Sequence, residues 1–156
     1  MLKWIFLGVS HTLTLAIGFA LGAYFLPILT APEGPDKAVL AATAKSALYK
    51  GTLTRDLKGS DFLHWGEGKI SVTPKQIVHE GKLAPGPDYK LYLTTAFVED
   101  EEQFLKLKDG ARQVGDIKTF DGFIVELPND VDIEKFNTVV VWCESFSEFI
   151  TAVKYK

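Results

Sequence analysis

The hexapeptide Thr138-Val139-Val140-Val141-Trp142-Cys143 decides the fold class of this chain. Its residues are apolar in succession and do not alternate with polar ones, which is typical of a strand that is buried on both faces. β-Branched valines also favour extended backbone. We therefore predict a layered β structure in which Cys143, the single cysteine of the chain, is part of the core.

Similar short runs, rich in β-branched and aromatic residues, recur along the chain. They are residues 47–54, 68–73, 75–79, 89–95, 112–117, 120–127 and 149–155. Turn residues separate them, as in Pro85-Gly-Pro-Asp88 and Pro128-Asn-Asp130. This spacing predicts a mainly β fold: an antiparallel β-sandwich or a jelly-roll-like domain.

One short helix, from about Glu99 to Lys108, interrupts the strands. Four carboxylates in its first turn favour the positive end of the helix dipole, and Gly110 ends it. The same carboxylates could suggest a metal site, but adjacent side chains on one helical turn diverge, so we predict none. Asp130–Glu134 is interpreted in the same way, as one helical turn with acidic caps. The predicted buried side of the longer helix consists of Phe104, Leu105 and Leu107.

The N-terminal segment predicts a single transmembrane helix. No charged residue occurs from Trp4 to Leu29, and the rise from Trp4 to Tyr24 is about 30 Å, the thickness of a bilayer's hydrocarbon core. A cleaved signal peptide is the alternative, but its apolar core would be only about 7–15 residues long. We predict that residues 1–29 are an uncleaved signal-anchor. Lys3 before the span favours a cell-membrane protein whose C-terminal domain is periplasmic or extracellular.

Small residues recur every four positions in this span and share one helix face. Such a pattern lets two transmembrane backbones approach closely, and it predicts a homodimer through the helix. The alternative is that glycine is simply common in membrane helices. The residues concerned are Ser10, Thr14, Gly18 and Gly22, with His11 beside them.

Residues 30–45 are predicted to be a linker. Pro35 and Asp36 could begin a short helix, with Asp36 accepting hydrogen bonds from its first free N–H groups. The segment contains little apolar material to bury. We therefore expect a spacer that holds the domain of residues 46–156 off the membrane.

Composition and motifs exclude several classes of function. The chain has 17 Lys and Arg against 20 Asp and Glu, a net charge of −3, which disfavours nucleic acid as a partner. One cysteine excludes a disulfide scaffold and a zinc ribbon. The chain has no nucleophile elbow, no metalloprotease helix and no phosphate loop, so nothing supports hydrolytic catalysis.

Residues 46–156 resemble the DM-thirteen domain family, also called the electron-transfer DM domain. The matching stretches are 47–51, 85–94, 97–101, 114–118 and 139–143 with Phe146. The resemblance implies a β-rich extracytoplasmic domain, found alone or beside haem-binding DOMON modules, whose single cysteine is the proposed redox residue. That role falls on Cys143, with Trp142 as its neighbour. The chain departs from the family pattern at Ile150, where a small residue is expected.

Cys143 therefore has two interpretations. A thiol inside an apolar strand, with Glu144 beside it, has a raised pKa and is inert; a reactive thiol could instead form a sulfenic acid or a mixed disulfide with a redox partner. No cofactor is predicted; haem, if bound, would draw its ligands from Cys143, His64 and His79. Two function hypotheses follow: a membrane-anchored redox or electron-transfer accessory, or a non-catalytic binding or structural module of the cell envelope.

Overall fold

The computed structural model describes all 156 residues. Three α-helices and eight β-strands follow one another along the chain. They are α1 (Leu2–Thr30), α2 (Lys37–Ala44), β1 (Tyr49–Leu53), β2 (Gly66–Val72), β3 (Gln76–Leu83), β4 (Tyr89–Thr94), α3 (Glu101–Leu107), β5 (Arg112–Ile117), β6 (Phe123–Glu126), β7 (Thr138–Cys143) and β8 (Glu148–Lys154).

The strands form two four-stranded sheets, in the orders β1-β2-β3-β6 and β5-β4-β7-β8. Every neighbouring pair is antiparallel. The predicted β-sandwich with a preceding helix is confirmed, and each predicted run overlaps one strand. β3 is longer than expected, because Gly81 lies within the strand opposite Gly68. A Cβ on Gly81 would lie 2.0 Å from the Glu67 carbonyl oxygen, so this glycine permits close strand approach and makes no turn.

β7 is buried on both faces, as predicted. Val139, Val141 and Cys143 belong to the main core, which contains residues of both sheets. Val140 and Trp142 belong to a second cluster, together with Phe104 of α3. The continuous apolar run thus reflects a strand with a second sheet on one side and a helix on the other.

α3 begins and ends close to the predicted positions. The Asp100 carboxylate caps it by accepting a hydrogen bond from the Gln103 N–H at 2.8 Å, and the turn Lys108–Gly110 closes it as a 3₁₀ helix. Phe104 is fully buried, but the prediction for Leu105 is wrong: its side chain is 47% exposed, because it lies on the outward side of the helix. The predicted helical turn near Asp130 is present as Ile133–Lys135.

α2 confirms the predicted short helix, with Asp36 at the N-cap but without a capping hydrogen bond from its side chain. The prediction of a spacer with little to bury is wrong. Leu40 and Ala44 are buried in a cluster with Val78 of β3. The segment before β1 is therefore packed against the outer face of the first sheet.

α1 is a 29-residue helix with no buried residue, and it is the one helix long and apolar enough to cross a membrane. A signal sequence passes the same test of length and composition. No heavy atom lies within 4 Å of where a Cβ on Gly18 or Gly22 would be, so nothing else in the chain packs on these two residues of the predicted association face.

Strand pairing brings four connections to one end of the sandwich, which we call the Cys143 end. Tyr89 pairs with both Ile117 and Cys143 there, and Leu83 enters the connection from β3 to β4. The opposite end carries Leu48, whose N–H donates to the Val72 carbonyl. The four connections at the Cys143 end are residues 54–65, 84–88, 118–122 and 144–147.

Candidate functional site

Cys143 is the last residue of β7 and has a strand on either side. It lies opposite Tyr89 of β4 and opposite Glu148 of β8. Its thiol is free, and the residue is only 2% exposed. The residue is therefore part of the core, as its apolar run predicts, but it stands where the core meets the connections of the Cys143 end.

An apolar cleft of about 430 Å³ opens above this thiol. Cys143 and Ile150 contribute to it from the sandwich, and Leu63 and Phe146 from two connections. The outer part of α1, around Tyr24, lines the remaining side of the cleft. The cleft thus joins the helix, the loops and the buried thiol.

A β-bulge shapes the wall next to Cys143. Val141 pairs with Thr151, but Trp142 pairs with Phe149, so Ile150 has no partner on β7. Ile150 is nevertheless 1% exposed and lies in the core cluster that contains Cys143. A bulge accommodates this large residue where the family resemblance implies a small one.

Burial raises the pKa of the Cys143 thiol above its ordinary value. The backbone N–H groups of Phe146 and Asp88 act in the opposite direction, whereas the Asp88 carboxylate raises the pKa further. That carboxylate accepts a hydrogen bond from the Ser145 hydroxyl at 3.0 Å, which ties the two connections together. The environment therefore keeps the thiol protonated at neutral pH.

The expectation that Glu144 raises the pKa of the thiol is wrong. Its carboxylate accepts hydrogen bonds from the Tyr92 hydroxyl and from Lys108 Nζ, the latter at 2.7 Å. Successive residues of a strand point to opposite faces, so Glu144 leaves the sheet on the side of α3. The carboxylate that acts on Cys143 is Asp88, which is distant in sequence.

Trp142 lies on the opposite face of β7 from the cleft. It is fully buried, its ring centroid is 4.8 Å from that of Phe104, and Lys108 Nζ lies 5.1 Å from the ring centroid. It packs beneath α3 and does not line the cleft. The structure therefore separates the two neighbours that the sequence places side by side.

The two histidines differ in position. His64 lines the cleft and its Nδ1 is 3.0 Å from Asp61 Oδ2. His79 is fully buried within β3, and its Nε2 is 2.9 Å from the Glu67 carbonyl oxygen. Burial lowers its pKa. Of the three candidate haem ligands, only Cys143 and His64 line the same cleft.

No group of three or more His, Cys, Asp or Glu side chains is placed to hold a metal ion. Sequence reasoning missed Asp88 and Leu63 as neighbours of the thiol. Asp88 belongs to one of the stretches that carry the family resemblance, and its acidic side chain in that stretch is the feature that could have indicated a charge near the thiol. Leu63 follows Phe62 in a polar connection, and only the folded structure brings it to the cleft.

Fold and site together define a β-sandwich domain with one buried thiol beside an apolar cleft. The family model described as Electron transfer DM13 matches residues 56–155. The chain belongs to this family, which confirms the resemblance of its sequence. No curated protein and no solved structure matches the chain significantly.

Proposed function

We propose that this protein is a membrane-anchored accessory of electron transfer whose working group is the Cys143 thiol. The observation that carries the proposal is the position of this thiol: Cys143 belongs to a strand that is buried on both faces, and it also lines an apolar cleft. Membership of the electron transfer family supports a redox role. The 29-residue apolar helix supports the anchor. Lys3, the single charged side chain before the span, supports a domain on the extracytoplasmic side.

A single thiol restricts the chemistry. Because the chain has one cysteine, no internal disulfide forms, and the reaction is exchange with a disulfide of a partner protein. The Cys143 thiolate attacks one sulfur of that disulfide, a new S–S bond forms, the old one breaks, and the departing thiolate takes up a proton. The product is a mixed disulfide between the two proteins, and no resident cofactor takes part.

The apolar lining of the cleft and the raised pKa of the Cys143 thiol determine the rate of disulfide exchange. At neutral pH the thiolate is a small fraction, so exchange with small solution disulfides is slow. A partner that fills the cleft excludes water from the reacting sulfurs and brings its own disulfide to Cys143. This proposal predicts selectivity for a protein partner over glutathione.

Alkylation of the full chain in its membrane tests whether the thiol can be reached. We expect slow but complete labelling by a small alkylating reagent without denaturant, and an alkylation rate that still rises with pH above 8.5, where an unperturbed thiol levels off (pKa about 8.5). Cys143→Ala is the blank, and the denatured protein gives the total. No labelling of the native protein ends the redox proposal and leaves the binding or structural module.

Trapping then tests the reaction itself. Non-reducing electrophoresis of membranes quenched with acid is expected to show a Cys143-dependent adduct that a reductant removes. An absorption spectrum of the purified protein tests for bound haem, and a haem band would contradict a mechanism that uses the Cys143 thiol alone.

A further inference from the structure

Large apolar side chains are exposed at the tips of two connections of the Cys143 end. Phe62 is 85% exposed and Leu63 is 38% exposed in the connection between β1 and β2. Phe146 is 49% exposed in the turn between β7 and β8. None of these side chains belongs to a core cluster, and large apolar side chains grouped at one end of a molecule mark a protein-binding or membrane-binding surface. We call Phe62, Leu63 and Phe146 the apolar tips.

The outer part of α1 lies at the same end. Ala20, Leu21, Ala23 and Tyr24 line the cleft together with Leu63 and Phe146. A few residues further on, Pro27 and Thr30 line a second depression together with Pro87. The α1 residues that line these two depressions define the level along α1 at which the sandwich sits.

That level lies within the membrane interface. If the hydrocarbon core spans Trp4 to Tyr24, Ala20 lies four residues inside its outer boundary, a rise of about 6 Å. Amphipathic helices that lie on a bilayer bury their apolar face about 5–10 Å into the boundary between headgroups and acyl chains, and we take the same depth for the apolar tips. Side chains that meet α1 between Ala20 and Tyr24 are therefore at the depth where a bilayer receives apolar groups.

We propose that the apolar tips form a membrane-docking surface, which inserts into the same bilayer leaflet through which α1 leaves the membrane. The cleft above Cys143 then opens onto the interface, and a redox partner approaches it along the membrane. This inference rests on the proposed membrane anchor. The paired polar groups Asp61 and His64, beside the tips, lie at the level of the lipid headgroups.

The course of the chain agrees with this orientation. From Thr30 the chain passes to α2, which packs against β3, and β1 begins at the opposite end of the sandwich. Only residues 31–36 separate α1 from α2, and Gly34 among them lies against Asp121 in the connection 118–122, so the Cys143 end remains close to the membrane. Leu48, which is 60% exposed at the opposite end, lies far from the bilayer in this arrangement.

Spin labels on the full chain in lipid nanodiscs of phosphatidylcholine test the proposal. In a Cys143→Ala background, Phe146→Cys carries a label at an apolar tip, and Leu48→Cys carries the matched control on an exposed apolar residue at the opposite end. We expect relaxation by membrane-soluble oxygen at position 146, with loss of relaxation by a water-soluble nickel chelate. At position 48 we expect strong relaxation by the nickel chelate and weaker relaxation by oxygen.

Two results would overturn the docking surface. One is equal access of the nickel chelate to positions 146 and 48. The other is spin–spin broadening at position 146 that disappears on dilution with unlabelled protein, because it would show that a second copy covers the tips. Alkaline carbonate extraction of native membranes tests the anchor separately from the docking surface. If the protein stays in the membrane while position 146 is exposed to water, only the docking surface is refuted. If the protein is released, the membrane anchor is refuted.

Discussion

Leu40→Ala tests whether the segment before β1 belongs to the folded domain. Leu40 is 3% exposed and lies in a small cluster with Ala44 and Val78. The substitution removes three buried carbons, at about 0.8 kcal/mol each, or about 2.4 kcal/mol in all. The cavity left beside β3 adds to the cost, while relaxation of a short peripheral helix reduces it. We expect the free energy of unfolding to fall by about 2–3 kcal/mol.

Urea denaturation of the full chain in detergent micelles, followed by tryptophan fluorescence, measures this loss. Val39→Ala is the matched control, because Val39 lies on the same helix, is 49% exposed and should change stability by less than about 0.5 kcal/mol. Hydrogen exchange adds a local measurement: the amides of α2 should lose protection in Leu40→Ala. An eight-residue helix is not stable alone, so protection there requires packing.

Equal stability of Leu40→Ala and Val39→Ala would refute the reasoning. It would mean that the segment is a free spacer, as its composition suggested, and that the packing of α2 does not contribute to the fold. The orientation inferred for the Cys143 end would then lose the support that the short connection gives it.

Three further predictions follow from burial and spacing. Cys143→Ala should lower the free energy of unfolding by about 1 kcal/mol. Cys143→Ser should lower it by about 1–3 kcal/mol if the hydroxyl finds no hydrogen-bond partner. Urea denaturation measures both losses, and a Ser variant as stable as the wild type would contradict an apolar environment at this position. Burial lowers the pKa of His79, so the unfolded chain binds more protons below about pH 6.5, and stability should fall on acidification through that range. His79→Gln should flatten that slope, and an unchanged slope would assign it to other groups. Gly18→Leu with Gly22→Leu should abolish crosslinking of the full chain in membranes, and unchanged crosslinking excludes this helix face as the interface.

The strands could be predicted because their signal is local. β-Branched runs between turn residues fix each strand within a few positions, and the continuous run of β7 indicates cover on both faces. The sequence predicts too early an end for β3, because Gly81 is not a turn residue but allows close pairing with Gly68 of β2. A glycine that makes a turn and a glycine that permits close pairing look the same in one sequence.

The site was less predictable, because it depends on contacts between distant segments. Cys143 was placed in the core correctly, but the cleft arises where connections far apart in sequence meet α1. Its position next to Cys143 indicates Glu144 as the charge near the thiol, but strand geometry directs this side chain to the other face. The influential carboxylate is Asp88, brought there by the pairing of β4 with β7.

The raised pKa of Cys143 has a consequence for the direction of exchange. Release of Cys143 from a mixed disulfide requires an incoming thiolate to attack the partner's sulfur and expel the Cys143 thiolate, and a thiolate of raised pKa is expelled slowly. Attack on the Cys143 sulfur itself, which would free the partner, is hindered because this residue is buried. A thiol that is a poor leaving group and a slow nucleophile therefore holds a partner for longer than an ordinary surface cysteine would. The mixed disulfide should accumulate, and Asp88→Asn, which removes the carboxylate that raises the pKa, should shorten its lifetime in a quenched time course. A lifetime unchanged by Asp88→Asn would show that burial alone controls the thiol.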